Sequence, residues 1–190
     1  MVNYRVLLPS AVLSFSLLVL CHGTQAAGDQ NAADLDGLFS KLQHSSAPDV
    51  GLAVTRKIWE VWHQAPDAEA QLVFDRGVAF MAQSDYRSSL IAFTRVTEMA
   101  PRFAEAWNRR ATLLYLVGAF ESSVENIQKT LDLEPRHFGA ISGLGQIYLR
   151  QDKLSLARQA FEKALSINPH LEGARTNIKT IDRLMSEKSI

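Results

Sequence analysis

The sequence contains a single cysteine, Cys21, and its five histidines include no pair at the four-residue spacing of a helical metal site. One cysteine cannot form an internal disulfide, and a zinc or iron–sulfur site built on thiolates is disfavoured. No glycine-rich segment follows a strand pattern, and no serine has the context of a catalytic nucleophile. We therefore predict that the protein is not an enzyme and needs no cofactor or metal.

Neither sign of charge is in excess, because 20 lysines and arginines balance 20 aspartates and glutamates. The chain as a whole has no electrostatic field that would attract nucleic acid or an anionic membrane surface. We expect a protein or peptide partner, no nucleic acid, and contact with a membrane only through the N-terminal segment described next.

Long apolar runs are missing except near the N-terminus. Residues 6–20 are apolar and uncharged, they follow a single cation, Arg5, and small residues surround Ala26. This order predicts a secretory signal peptide at residues 1–26, because a membrane-spanning helix needs ~20 apolar residues. Two alternatives would tether the protein to a membrane: residues 6–20 as an uncleaved anchor, or a lipid on Cys21.

The rest of the chain shows helical periodicity, and no segment alternates apolar and polar residues as a strand does. Residues 27–32 are small and polar, which predicts a disordered lead-in. Residues 33–66 contain two amphipathic runs, interpreted as a degenerate helical repeat that caps the N-terminal end of the fold. Residues 172–188 carry an apolar stripe and are interpreted as a C-terminal capping helix.

An internal period of 34 residues is the strongest signal in the sequence. Five classes of position keep their chemical type across three copies without a gap. The classes are, in order, a proline, a small and a large residue on a first helix, and a small and a large residue on a second helix. Their members, in the same order, are Pro101, Pro135 and Pro169; Gly77, Ala111 and Gly145; Phe80, Leu114 and Tyr148; Ser89, Ser123 and Ala157; Phe93, Ile127 and Phe161. Thirty-four residues accommodate two helices of ~13 residues and two tight turns, and a close helix crossing requires small side chains. We predict an all-α protein with three helical hairpins at residues 70–103, 104–137 and 138–171.

The repeats resemble the tetratricopeptide repeat family, and the resemblance covers residues 70–169. It is carried by residues 104–135, where Trp107 stands at the early tryptophan position of the family, and by residues 157–169, which end in the family's proline. The resemblance implies a right-handed solenoid of helical hairpins, as in small exported bacterial members of the family.

The resemblance also implies a binding site, because the first helices of successive repeats line a concave groove that receives an extended peptide or a partner helix. By register, the groove is lined by Phe74, Val78 and Met81 from the first repeat, by Asn108, Thr112 and Tyr115 from the second, and by Ser142, Gln146 and Leu149 from the third. Arg109 and Arg150 lie near its edge, where they can bind a carboxylate of the partner. The alternative is that they are solvated or pair with Glu105 and nearby acids.

Two further expectations concern residues in or near the groove, and a third concerns the function. Phe74 and Val78 replace the polar clamp of the chaperone-binding members, so this groove is not that clamp. His137 and His170 follow repeat-ending prolines and are expected to be partly exposed at helix starts, with a peptide contact as the alternative. The expected function is a periplasmic adaptor or scaffold that binds a partner in the groove. The alternative is a fixed subunit of an envelope complex that buries its convex face.

Overall fold

The computed structural model describes residues 28–188, and within that range the chain is helical, with no strand. The helices are α1 (Gly28–His44), α2 (Pro48–Trp62), α3 (Ala68–Ala82), α4 (Tyr86–Met99), α5 (Ala104–Leu116), α6 (Phe120–Leu133), α7 (Phe138–Arg150), α8 (Leu154–Ile167) and α9 (Glu172–Glu187). None of these helices is both long enough and apolar enough to cross a bilayer. The predicted signal peptide and Cys21 lie outside the described residues.

The predicted lead-in differs from the structure. Helix α1 begins at Gly28, so most of the segment 27–32 is helical and not disordered. Residues 28–32 include Ala32 and no proline, so they can continue a helix whose following apolar turns pack against the rest of the protein.

Helices α3 to α8 form three hairpins in succession: α3 packs on α4, α5 on α6 and α7 on α8. Each hairpin contacts the next through α4 with α5 and α6 with α7, and α9 packs on α8 through Ala174 and Ile181. The all-α, helical-hairpin repeat fold is therefore confirmed. The first helices also contact one another, α3 with α5 and α5 with α7, so they form one continuous surface, which we call the inner face.

Small residues stand where the two helices of a hairpin cross. A side chain built on Gly77 would lie 2.7 Å from the ring of Phe93, and one built on Gly145 would lie 2.9 Å from the ring of Phe161. The hydroxyl of Ser89 donates to the carbonyl of Gly77 at 2.9 Å across the same crossing. In the first and third repeats the small residue is needed because an aromatic ring of the second helix rests on the backbone of the first.

The turn inside each hairpin contains one residue in the left-handed conformation at the same repeat position. These are Ser84 at φ 60°, Gly118 at φ 81° and Asp152 at φ 57°. Residues other than glycine pay a steric cost of about 1 kcal/mol in this conformation. Only the second repeat uses glycine there.

We predict that Ser84→Gly stabilises the protein by about 0.5–1 kcal/mol, because glycine removes the steric cost at Ser84. The reverse change at the equivalent position, Gly118→Ser, should destabilise by a similar amount. Urea denaturation of both variants measures the two differences. Loss of stability in Ser84→Gly would contradict the shared turn geometry.

The N-terminal helix pair does not extend the stack of hairpins. Its apolar residues form a single cluster with Phe138 of α7, and Leu171 before α9 packs on the edge of it. The members from the pair are Leu35, Phe39, Leu42, Val54, Ile58 and Trp62. Gln43 donates to the carbonyls of Ser166 and Ile167 at 2.9 Å and 2.7 Å, near the end of α8. The prediction that this pair caps the N-terminal end as a preceding repeat is therefore wrong, because its large apolar side chains are buried against the third repeat instead.

Candidate functional site

Helix α2 lies across the first turns of the inner-face helices, so it covers part of the surface that the sequence predicts as a groove. Trp59 lies over Gly139, near the start of α7, where an added side chain would come 2.5 Å from the indole. The ring of Trp59 meets those of His137 and Phe138 edge-on, each at 5.5 Å between centroids. The absence of a side chain at Gly139 creates the space that the indole occupies.

Trp62, one turn further along α2, stacks on the imidazole of His137. The two ring centroids are 4.0 Å apart and the planes differ by 9°. Trp62 is only 6% exposed, and its indole nitrogen Nε1 has no hydrogen-bond partner among the residues that the structure describes. A buried donor without an acceptor costs about 1–3 kcal/mol. The ring of Trp62 is therefore well packed, whereas its buried N–H reduces the stability of the fold.

A buried carboxylate lies beneath this contact. Glu105, in the first turn of α5, is 1% exposed and accepts three hydrogen bonds. Asn108 Nδ2 donates to Oε2 at 2.8 Å, His137 Nε2 donates to Oε2 at 3.0 Å, and Arg109 Nε donates to Oε1 at 2.7 Å. These donors satisfy a charge that would otherwise be too costly to bury.

The two histidines beside Glu105 have defined proton positions. His137 is the residue before α7, and its Nδ1 accepts the backbone N–H of Ala140 at 3.1 Å, so Nε2 carries the proton that is donated to Glu105. His63 donates from Nδ1 to the carbonyl of Trp59 at 2.5 Å. Its Nε2 therefore accepts from Arg109, because a guanidinium can only donate. Arg109 thus connects the end of α2 to the buried carboxylate.

The surroundings of Glu105 change its acidity. Burial by itself raises the pKa of the carboxyl group, but the hydrogen bond from His137 and the positive charge of Arg109 outweigh burial and hold the pKa below its ordinary value. A lowered folded-state pKa means that the ionised carboxylate stabilises the fold above the unfolded pKa of about 4.3. The stabilisation is lost as the pH falls through the folded pKa.

We predict that Glu105→Gln destabilises the protein by about 2 kcal/mol at neutral pH, since it removes the charge that Arg109 and His137 bind. The difference between the wild type and the variant should shrink as the pH is lowered from about 4.3 through the lowered pKa of Glu105. Urea denaturation at a series of pH values measures this difference in the free energy of unfolding. A difference that stays constant below pH 4 would show that the ionised carboxylate has no stabilising role.

Other contacts hold the helix pair on the repeats. Arg136 Nη1 donates to Asp36 at 2.5 Å, and the guanidinium lies 4.3 Å from the ring centroid of Phe39. In the middle of α2, Thr55 accepts a hydrogen bond from Asn168 at 3.0 Å. The position of the pair therefore depends on the ring packing near the end of α2 and on polar contacts from both helices.

The pair does not fill all the space between itself and the repeats. A cavity of about 830 Å³ remains between α1, α2 and the two turns that connect the repeats. Its lining includes Leu35, Val61, Trp62, Phe103 and Leu133, with Arg102, Glu105, Glu134 and Arg136 among the charged residues. A cavity of this size is large enough for several side chains of another molecule.

The structure removes two of the predicted groove residues from the accessible surface. Phe74 is 1% exposed, with its ring 5.1 Å from that of Phe103 and 6.0 Å from that of His63. Asn108 is 7% exposed and donates to Glu105. The expectation that these two side chains line an open groove is wrong, because Phe74 packs in the core between the first and second repeats and Asn108 binds the buried carboxylate.

Of the two arginines predicted at the edge of the groove, one is bound within the chain and the other is exposed. Arg109 pairs with Glu105, which confirms the intramolecular alternative for this residue. Arg150 is exposed at the end of α7.

The remaining predicted residues lie beyond the first turn of the inner-face helices. Thr112 is exposed, and the others are half-buried: Val78, Met81, Tyr115, Ser142, Gln146 and Leu149. Ser142 and Gln146 line a smaller cavity of about 240 Å³ that they share with Trp59. We call the surface around Val78, Met81, Thr112 and Tyr115 the open part of the inner face, and the surface beneath Trp59, Trp62 and His63 the covered part.

Sequence reasoning missed the residues that join α2 to the repeats. His137 was expected to be partly exposed, but it is fully buried, although it does stand at a helix start as expected. His170 is half-buried, and its ring packs on Gly51 of α2. Two tryptophans one helical turn apart, Trp59 and Trp62, in a segment that fits the repeat poorly, were the signal that could have revealed this contact.

We predict that Gly139→Ala destabilises the helix pair, because the new methyl group must displace the indole of Trp59. Gly143→Ala is a matched control on the same helix, since its methyl group would meet only Ile127 at 3.6 Å, and it should gain up to about 1 kcal/mol of helix stability. Hydrogen exchange of α1 and α2 measures the effect. Equal exchange in the two variants would show that Trp59 does not depend on Gly139.

Comparison with known proteins agrees with this architecture. Residues 74–125 and 139–171 match family models described as the tetratricopeptide repeat. A TPR repeat-containing protein of Rhizobium etli is 32% identical over 135 residues, which are 71% of this chain and 66% of that protein. The human DnaJ homolog subfamily C member 7 is 23% identical over 127 residues, which are 67% of this chain and 26% of that protein. The chain thus spans just under two thirds of the first relative and about a quarter of the second.

Two solved structures are similar in fold. The TPR domain of Sgt2 from Aspergillus fumigatus superposes with a TM-score of 0.61 at 23% identity, covering 66% of this chain and 84% of that one. The first TPR of Spaghetti (RPAP3), bound to the HSP90 peptide SRMEEVD, superposes with a TM-score of 0.60 at 18% identity. The superposition covers 63% of this chain and 96% of that one. At these identities the likeness concerns the fold alone.

Proposed function

Because the chain belongs to the tetratricopeptide-repeat family, whose domains are protein-interaction modules, we propose that it binds a segment of a partner protein on the open part of the inner face. The observation that carries this proposal is the combination of exposure and chemistry there. Thr112 is exposed and Tyr115 half-buried on α5, and Val78 and Met81 add apolar surface from α3. Leu116, beside Tyr115, is 48% exposed.

The proposed partner presents apolar side chains together with backbone or amide groups. Methionine and valine offer no charge to a ligand, whereas the hydroxyls of Thr112 and Tyr115 can bond to polar groups of a peptide. The structure of the RPAP3 domain contains a bound peptide, which supports a peptide as one form of the ligand here. Helix α2 blocks the first turns of α5 and α7, so the segment bound on the open part is short.

We further propose that the protein acts as an adaptor or scaffold in the periplasm of a bacterium. The order of residues in the N-terminal segment and the Rhizobium relative support this proposal. The alternative, a fixed subunit of an envelope complex, is favoured by exposed apolar residues on the second helices, namely Ile91 on α4 at 65% and Leu156 on α8 at 43%.

We predict that a photo-crosslinking amino acid at Leu116 captures a partner protein in the envelope fraction of the native host. Adding Tyr115→Ala should reduce that adduct at least tenfold, because a lost interfacial aromatic contact costs more than about 1.4 kcal/mol. N-terminal sequencing of the protein from the same fraction shows whether residues 1–26 have been removed.

Crosslinkers at Ile91 and Leu156 separate the two functions. An adaptor gives adducts from position 116 that depend on Tyr115. A fixed subunit instead gives stoichiometric adducts from positions 91 and 156, and Tyr115→Ala leaves them unchanged. The second outcome would replace the open part of the inner face with the convex face as the binding surface.

A further inference from the structure

We propose that the covered part of the inner face is a helix-binding site, and that its partner is an amphipathic helix with two bulky aromatic residues one turn apart. Helix α2 is the occupant that the chain itself supplies. This site is separate from the open part around Tyr115, so the inference does not depend on the function proposed for that surface.

The binding surface is built by the repeats themselves. His137 is held by the backbone N–H of Ala140 and by the carboxylate of Glu105, and Glu105 is also held by Asn108. All four residues belong to α5, to α7 or to the residue before α7. Gly139 has no side chain, so the gap above it exists whether or not Trp59 fills it. The shape of the surface therefore does not require α2 to be present.

The contacts of α2 show what this surface selects. Trp59 fills the space over Gly139, and Trp62 stacks on His137 at 4.0 Å. Their spacing of three residues places both on one face of a helix, which an extended peptide could not reproduce. His63 then offers an acceptor to Arg109. A ligand thus needs helical structure, two large aromatic rings, and an acceptor in the residue after the second ring.

The fit of α2 is incomplete, which leaves room for a better ligand. The indole N–H of Trp62 is buried and finds no acceptor within residues 28–188. The cavity of about 830 Å³ next to Trp62 and Val61 is not filled by the helix pair. A partner helix that supplies an acceptor to this region, or side chains to the cavity, makes contacts that α2 does not make.

The connection between α2 and α3 makes α2 a strong competitor for this site. Helix α2 ends at Trp62 and α3 begins at Ala68, so only residues 63–67 separate them. A short covalent link of this kind gives the bound segment an effective concentration of about millimolar or more. A free helix must overcome this competition, so the site becomes available when the contacts of α2 are weakened or when the partner binds more tightly.

The experiment uses a fluorescein-labelled synthetic peptide of residues 47–64 as the probe. Its binding to the purified full chain is measured by fluorescence anisotropy for the wild type and for the double variant Trp59→Ala/Trp62→Ala, in which the resident helix has lost its rings but the repeats are unchanged. We expect the double variant to bind the peptide at least tenfold more tightly than the wild type does. Adding Gly139→Leu to the double variant should remove that binding, and adding Tyr115→Ala should not.

Circular dichroism and hydrogen exchange verify that α3–α8 remain folded in each variant. If the double variant does not fold, Gly51→Ile is used in its place. A side chain at Gly51 collides with the ring of His170, so this variant weakens the packing of α2 on the repeats without changing the binding surface. The inference is overturned if a folded variant with a released helix pair fails to bind the peptide. It is equally overturned if Gly139→Leu leaves peptide binding intact.

Discussion

The buried carboxylate of Glu105 joins three parts of the chain that are distant in sequence. It belongs to the second repeat, it is bonded to His137 at the start of the third, and through Arg109 it reaches His63 at the end of α2. An unpaired charge at 1% exposure would be strongly destabilising, so the donors around it must stay in place. The stacking of Trp62 on His137 depends on the same arrangement, because the bonds on both ring nitrogens of His137 fix the orientation of its imidazole.

This constraint divides the inner face of the solenoid into two surfaces with different chemistry. The covered part, over the first turns of α5 and α7, consists of a glycine, a fixed imidazole and a satisfied carboxylate, and it receives aromatic rings. The open part, around Thr112 and Tyr115, presents hydroxyls beside the apolar side chains of α3. A solenoid built from similar hairpins can therefore present two surfaces of different chemistry, since the side chains outside the repeat pattern differ from one turn of a helix to the next.

Much of the fold follows from residues that recur. Gly77 and Gly145 recur because the rings of Phe93 and Phe161 leave no room for a side chain, so their 34-residue spacing reports a helix crossing directly. The turns around Ser84, Gly118 and Asp152 also repeat, with one left-handed residue in each. The candidate site was predicted less well. Val78, Met81, Thr112 and Tyr115 lie on accessible surface as register suggests, whereas Phe74 and Asn108 do not. Register places a residue on a helix face, but it cannot tell whether the side chain packs into the core, as Phe74 does, or binds a buried charge, as Asn108 does.

The sequence by itself determined the class of fold, the number of hairpins and the helix faces that turn inward, because these depend on local periodicity and on contacts between neighbouring repeats. Only the tertiary structure decided where α1 and α2 are placed. Several of their contacts join residues that are about 80 to 120 positions apart, such as Trp59 with Gly139 and Gln43 with Ser166, and no repeated pattern records a contact that occurs once. The apolar face of the pair is visible in the sequence, but a hydrophobic face is attracted to any apolar surface of suitable shape. The gap over Gly139 and the ring of His137 supply that shape, and both exist only after the second and third repeats have packed together.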